Sequence, residues 1–536
     1  MLADMVMPSR SSRSAEAAVV AGATGWAASR ERDDACPGAL RLHQADDGGL
    51  ARVRVPGGVL GSGQAAALGA AAVQLGDGDL HLTSRGNLQL RGLGEDSGAE
   101  LARLLDGAGL LPSLAHERVR NIVASPLSGL DGCGYRDVRP WLAELDRLLC
   151  GSEEARGLSG RFLFAVDDGR GDVAALGADV TLVAVREGGA LLRVGADRDA
   201  GALRIDSAYA ATAAVTAAEV FLETARECGV RAWRVSELPM TGGELAHRLE
   251  HRLAHRLPPR LAPRLAHRVA QLPGDDERPT DTERLADAQR LGDAERIVPI
   301  SPVPELDDQA PAPGLVTSPT GQVALSVHAP LGRLTSRQWA LLARTAERHG
   351  SGELRLTPWR GVVVPGLAPE RAPGALAALG DAGLVTDPAS PWRGVGACAG
   401  RPGCAKSLTD VRDDAAAALA SSPQGAAALT NGSPQGAAGP STPQGEDGAK
   451  TLPVYWSGCE RRCGHPRGDR VEVVAGPGGY QVSVVRSSGA VVRVPLPHRS
   501  ALTATVSAAR NSASGPGPTP TPAASPTKAT ATTTAP

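Results

Sequence analysis

Two short stretches carry closely spaced thiols: GACAGRPGCAKSLTD at 396–410 and WSGCERRCG at 456–464. Cys398 and Cys404 are separated by five residues, Cys459 and Cys463 by three. Two thiolate pairs on short loops make a donor set for a soft metal centre. Zinc knuckles hold their paired cysteines about two to four residues apart, so the five-residue gap counts against zinc. A cubane iron–sulfur cluster accepts wider, unequal spacing and is the better reading. Both pairs lie among Gly, Pro and Arg rather than on an apolar face. Cys36, Cys133, Cys150 and Cys228 are scattered and read as small hydrophobes.

A second chemistry is written in LTSRGNLQLRG, residues 82–92. Read as one strand, it projects Thr83, Arg85, Asn87, Gln89 and Arg91 to one face and Leu82, Leu88 and Leu90 to the other. HERVRNIVASP repeats the device with His116, Arg118 and Arg120. Rows of guanidinium forks suit a ligand with many carboxylates, each bound bidentately. The plain alternative is a solvated strand face.

These residues sit in a chain of 536 residues, too long for one core, so at least two globular units are expected. Residues 80–93, LHLTSRGNLQLRGL, are echoed by LRLTPWRGVVVPGL at 354–367. Upstream of each lies a strand-like stretch and an Ala/Leu-rich helix candidate, at 64–75 and 336–349. Each copy reads strand, turn, helix, strand, so the ordered part is internally duplicated and α+β. The second copy has lost most of its polar face: TPWRGVVV offers only Arg360, which assigns it a role in symmetry rather than ligand binding. GRFLFAVDDGRGDVA and VEVVAGPGGYQVSVV read as strands and turns of mixed α/β lobes, the latter as a hairpin.

The divisions expected are a disordered 1–30, a first half at 31–125, a first lobe at 126–241 and a low-complexity linker at 242–313. Then come a second half at 314–390, a cysteine-bearing lobe at 391–500 interrupted by a disordered insertion at 418–450, and a disordered tail at 501–536. The linker contains ELAHRLEHRLAHRLPPRLAPRLAHRVAQ, whose four-residue echo places His247, His251, His255 and His267 at helical spacing for a divalent metal. Pro258, Pro259 and Pro263 interrupt any long helix, and the segment is read as a tether.

Net charge is −2, from 56 basic and 58 acidic residues, which gives no overall pull toward nucleic acid or anionic membrane. No window approaches the ~20 apolar residues of a membrane span, and a cytoplasmic protein is expected. In that reducing compartment clustered cysteines point to metal or redox chemistry. Neither GPGGYQ nor DDGRGD forms a nucleotide-binding loop, so any electrons from NADH must arrive through a separate donor.

The Thr-x-Arg-x-Asn-x-Gln run, the duplication and the paired cysteines resemble the sulfite and nitrite reductase superfamily. Within it, ACPGALRLHQADDGGLARVRVPGG, LTSRGNLQLRGL, HERVRNIVASPLSGLDG, CAGRPGCAKS and SGCERRCGHPRG are similar to the precorrin-3B synthase family of aerobic cobalamin biosynthesis. The resemblance spans about 34–240 and 316–500. It implies two ferredoxin-like half-domains plus two mixed α/β lobes. It also implies a 4Fe–4S cluster on Cys398, Cys404, Cys459 and Cys463, the last of which in the reductases bridges to sirohaem iron. Thr83, Arg85, Asn87, Gln89, Arg118, Arg120 and Arg161 would line a cleft for a tetrapyrrole's acetate and propionate groups. In the synthases that tetrapyrrole is the substrate precorrin-3A, hydroxylated with closure of a γ-lactone. Dioxygen, a mononuclear non-haem iron and an NADH-linked donor are implied too. No set of two histidines and a carboxylate identifies the iron's ligands; His116, His328, His349 and His465 lie in matched regions only. The chain departs from the family in the fifty-four residues between Cys404 and Cys459, and in GCERRC, where the reductases tend to have Gly-Cys-Pro-Asn before the last cysteine. Two other readings stand beside the monooxygenase: a sirohaem-dependent assimilatory sulfite or nitrite reductase, and a non-catalytic iron–sulfur scaffold or electron carrier.

Overall fold

The computed structural model describes residues 34, 36–196, 202–256, 264–266, 310–420, 451–466, 468–486, 489–496 and 501–512. The first half contains β1 (His43–Ala45), β2 (Gly48–Val53), β3 (Val59–Gly61), α1 (Ser62–Leu75), β4 (Leu80–Leu82), β5 (Leu88–Leu93) and α2 (Ser97–Gly107). The first lobe follows with β6 (Ile122–Ala124), α3 (Arg139–Gly151), β7 (Phe164–Asp167), β8 (Val180–Ala184), β9 (Ala190–Val194), β10 (Ala202–Ile205), α4 (Ala210–Glu227), α5 (Gly242–Arg256) and β11 (Arg264–Ala266). The second half repeats the first as β12 (Gly314–Thr317), β13 (Val323–His328), β14 (Arg333–Leu334), α6 (Ser336–His349), β15 (Glu353–Leu356), β16 (Gly361–Leu367) and α7 (Ala372–Asp381). The second lobe has β17 (Val395–Ala397), α8 (Val411–Ala420), β18 (Val454–Ser457), β19 (Arg470–Gly476), β20 (Gly479–Val485), β21 (Val491–Leu496) and α9 (Leu502–Asn511).

The two halves are woven together. The first sheet runs β1-β2-β5-β4-β14 and the second β12-β13-β16-β15-β3, so each half lends one short strand to the edge of the other. Leu60 pairs with Leu354, and Leu334 with Leu80. One core serves both halves, with Leu60, Leu68, Leu80 and Leu90 packed with Leu325, Trp339, Leu342 and Leu354. The helices α1 and α6 cross closely at Gly69, where a Cβ would stand 2.7 Å from Trp339 Cδ1. Trp339 Nε1 donates to the Ala65 carbonyl at 2.7 Å, which gives this buried ring the partner it needs.

The lobes repeat each other as well. In each, three parallel strands, the first two joined through a helix, are followed by an antiparallel pair. The β19–β20 hairpin forms over the stretch read as one, with Gly476 opposite Gly479.

Three boundaries move. The stretch from 242, read as tether, continues as α5, because Leu245, Leu249 and Leu253 recur every four residues and bury into the first lobe's core. The prolines that interrupt the echo come after Arg256, so they leave this helix whole. Residues 257–263 and 267–309 lie outside the described residues. The insertion begins after α8, whose Leu419 is buried, and 421–450 lie outside the described residues. The tail begins with α9, which seats Leu502 and Val506 in the second lobe's core; 513–536, like 1–33, are outside the described residues.

Candidate functional site: paired thiols and a group of arginines

The cysteine loops leave the C-terminal ends of the adjacent parallel strands β17 and β18, which brings them side by side. Cys398 N–H donates to the Trp456 carbonyl at 2.9 Å, and Leu408 N–H to the Gly458 carbonyl at 2.8 Å. Gly458 N–H points at Cys398 Sγ at 3.3 Å, the kind of contact that tunes a cluster thiolate. The Cys463 thiol is pushed up by burial and by the neighbouring Cys459, Cys398 and Cys404. Among the described residues no three His, Cys, Asp or Glu side chains close on a point tightly enough for a single ion. Two thiol pairs on adjoining loops form a donor set whose chemistry suits a soft iron–sulfur centre.

Both halves grip these loops. Arg91, buried on β5, binds Asp47 through Nε at 2.7 Å and Nη2 at 2.8 Å, and Nη2 also donates to the Gly403 carbonyl at 2.6 Å. Asp46 accepts from Ala405 N–H, so Cys404 is held from both sides. Arg412 of α8 donates to the Cys398 carbonyl at 3.2 Å and to His81 Nδ1 at 3.2 Å. Since a guanidinium can only donate, His81 is neutral with its proton on Nε2. From the second half, Arg360 donates to the Gly464 carbonyl at 2.8 Å and lies over the Tyr455 ring, whose hydroxyl donates to the Cys463 carbonyl at 2.7 Å. The second copy therefore positions the Cys459–Cys463 loop instead of serving symmetry alone. His81, Asp46, Asp47 and Arg412 escaped the sequence reading; only Arg91 lay on the polar row, and its partner is 312 residues away.

The first lobe carries a counterpart of the cluster site built from oxygen. Ser125 N–H donates to Val166 at 3.1 Å as Cys398 does to Trp456, and Asp168 N–H donates to Ser125 Oγ at 3.1 Å as Gly458 does to Cys398 Sγ. Asp167, Asp168 and Asp172 are buried there. Asp167 accepts three backbone N–H groups, Asp168 binds Arg170 and Asp172 accepts from Ser125 Oγ at 2.6 Å. Burial, and next the charge of Asp167, push the Asp172 carboxyl up to about 8. The folded chain thus holds a proton that the unfolded chain releases near 3.8, so this group favours folding in acid. The advantage is lost as pH rises toward about 8. Asp172→Asn is expected to flatten that decline, measured as urea midpoints at a series of pH values; an unchanged slope would contradict it.

The basic row is a hairpin turn instead of a continuous strand. Leu82 pairs with Leu88 across it, Thr83 N–H donates to the Asn87 carbonyl at 2.9 Å, and Thr83 Oγ1 accepts from Arg85 and Asn87 N–H at 3.3 and 3.1 Å. Gly86 takes φ 65°, and the matching residue of the second copy, Arg360, is held at 62°. The residues therefore part company. Asn87 is fully buried as a strut, accepting from Val55 N–H at 2.9 Å and donating to Asn121 Oδ1 at 3.0 Å. Gln89, with its amide oxygen turned inward, accepts from Arg52. Arg85 remains part-exposed, its guanidinium without a hydrogen-bond partner among the described residues. Burial, then Arg234 and Arg54, push it down to about 9, as expected of a part-buried cation beside other cations.

Residues 116–120 form a 3-10 turn and loop, so they do not alternate. Arg118 is half-exposed and reaches the Asp34 carbonyl at 3.3 Å. Arg120 is buried on Asp146, with both contacts at 2.7 Å, and on the Leu110 carbonyl at 3.0 Å, so it is a structural tie. Arg161 is exposed and stacks over Trp233 at 4.6 Å. Sequence reasoning passed over Arg54. It is fully buried, pushed down to about 10 by burial and by Arg52, and bonded to the Arg118 and Gly160 carbonyls at 3.2 and 3.0 Å.

The histidines offered for a mononuclear iron do not meet. His116 is tied to Ser113 Oγ at 2.7 Å and the Ser152 carbonyl at 2.8 Å, and His328 to the Pro311 carbonyl at 3.0 Å; His349 and His465 are exposed.

Residues 43–108 and 317–382 match the nitrite/sulfite reductase ferredoxin-like half domain. The chain carries that half domain twice. Its relatives include a ferredoxin–nitrite reductase of Synechococcus elongatus, 26% identical over 430 residues that cover 78% of this chain and 74% of the relative. A precorrin-3B synthase of a Sinorhizobium species is 25% identical over 468 residues, covering 86% of this chain and 85% of the relative. Among solved structures, the Mycobacterium tuberculosis NirA protein shares the fold at a TM-score of 0.58 and 18% identity, over 85% of this chain and 79% of that one. The half domains of this chain supply Arg85, Arg91 and Arg360, and the second lobe the thiols. No helix of the described residues is long and apolar enough to cross a membrane.

Proposed function

We propose that the chain is an oxidoreductase acting on a tetrapyrrole, the cytoplasmic, oxygen-dependent conversion of precorrin-3A to precorrin-3B with hydroxylation and γ-lactone formation. The observation that carries this reading is the alignment to precorrin-3B synthase, which takes in larger shares of both chains than that to the nitrite reductase. Cys398, Cys404, Cys459 and Cys463 would hold the 4Fe–4S cluster, which supplies one-electron transfer when bound. Arg85 binds a substrate carboxylate on the cleft floor, while Arg118 and Arg161 take others at its edge. Asn87 and Thr83 set the turn that aims Arg85, and Gln89 aligns Arg52. The residues described do not fit a mononuclear iron site, and no step is assigned to one. Electrons come from a separate NADH-linked donor.

A second reading is favoured by the nitrite reductase relatives: sirohaem held in the same cleft, with a small oxyanion as substrate. Incubation of the reduced protein with precorrin-3A under isotopically heavy dioxygen separates the two. A product bearing one heavy oxygen atom is expected. Consumption of nitrite or sulfite with no labelled tetrapyrrole would overturn the proposal.

A further inference from the structure

Helix α5 turns the echo ELAHRLEHRLAHR into three separate columns. Leu245, Leu249 and Leu253 are buried against α4 and the first lobe's sheet. Arg248, Arg252 and Arg256 pair with Glu227, Glu223 and Glu219 of α4. His247, His251 and His255 form the third column and are exposed. The first two columns fasten the helix along its length, so the third stands on a rigid support.

Within that column the His251 and His255 rings lie 5.0 Å apart, centroid to centroid, at an interplanar angle of 57°. Neither imidazole has a hydrogen-bond partner among the described residues, whereas His247 lies 3.8 Å from Glu250. Residues four apart on a helix are surface neighbours. Two imidazole nitrogens each about 2.0–2.1 Å from one ion stand roughly 3 Å apart, a separation these rings reach by turning about their side-chain bonds. The cations flanking the pair are neutralised: Arg252 by Glu223, and Arg256 by Glu219 and the Thr216 hydroxyl. Each of these two arginines is thus matched by a carboxylate beside the pair.

We propose that His251 and His255 form a two-imidazole site for a late first-row divalent cation, Ni²⁺, Cu²⁺ or Zn²⁺, on the outer face of α5. Imidazole is a suitable donor for these ions, and their affinities follow the usual order with Cu²⁺ tightest. No third His, Cys, Asp or Glu closes on the same point among the described residues, so the remaining coordination positions are open to water or to a donor from another molecule. The site is separate from the cysteine loops, which lie on the other lobe. The helix is pre-formed, so binding an ion there orders little chain.

The test is calorimetric titration of Ni²⁺ into tag-free protein prepared anaerobically with its cysteine site loaded. Wild type, His251→Ala, the double variant His251→Ala/His255→Ala and, as a control, His349→Ala, an exposed imidazole alone on α6, are compared. All three imidazoles are exposed, so the variants should fold, and far-ultraviolet circular dichroism verifies it. One equivalent of Ni²⁺ is expected in wild type and in His349→Ala, with affinity reduced tenfold or more in His251→Ala and no measurable binding in the double variant. A change of less than tenfold in the double variant would overturn the site, because the bound ion would then sit on other donors.

Discussion

Arg85→Ala weakens binding of a polycarboxylate tetrapyrrole by about ten- to a hundredfold and leaves the fold at least as stable as before. The first expectation follows from the ~1.5–3 kcal/mol carried by a hydrogen bond to a charged group. The second follows from the environment. Arg85 sits among Arg52, Arg54 and Arg234 with no hydrogen-bond partner to its guanidinium among the described residues, so in the free protein its charge is desolvated and repelled. Removing it relieves the folded state while emptying the cleft floor of its unpaired cation. Tetrapyrrole titration followed by absorbance and urea denaturation read the two effects separately. A variant that bound normally but unfolded more easily would show Arg85 to be structural, like Arg120.

Arg91→Ala has the opposite signature. Its guanidinium joins Asp47 to the Gly403 carbonyl, and its loss leaves both without their partner beside Cys404. Breaking a buried pair costs about 3–5 kcal/mol; Asp47 keeps 24% of its side-chain surface exposed, so about 2–3 kcal/mol is expected here. Arg91→Lys recovers only part of this, because an ammonium lacks the fork that reaches both acceptors. Arg103→Ala breaks an exposed pair with Glu100 that water screens, and leaves stability nearly unchanged. Iron and sulfide content of the purified Arg91→Ala protein should fall to half or less of wild type while Arg103→Ala keeps it. Equal content in both would show that the Cys404 loop holds itself.

What the sequence made legible was local. Cysteine spacing shows in a dozen residues, and the two loops that carry the pairs do lie side by side. The duplication shows because both copies keep the same Leu-x-Leu-Thr entry into their hairpin. Three things were hidden. The polar row reads as alternation until Thr83 and Gly86 are recognised as a turn, and that turn sends Asn87 inward while Arg85 stays part-exposed. The exchange of β3 and β14 between halves depends on pairings across more than 250 positions, which no period records. The tether reading of 242–256 failed because prolines further along were allowed to outweigh a leucine every fourth residue.

The central claim is that four cysteines hold a cluster and that the tetrapyrrole passes through the cleft as substrate. The most direct test is anaerobic purification followed by an absorption spectrum and assays for iron, acid-labile sulfide and tetrapyrrole. Broad brown absorption, about four iron and four sulfide per chain and no tetrapyrrole bands are expected. Sharp sirohaem bands in the purified protein would contradict the account and make the cleft a prosthetic-group site.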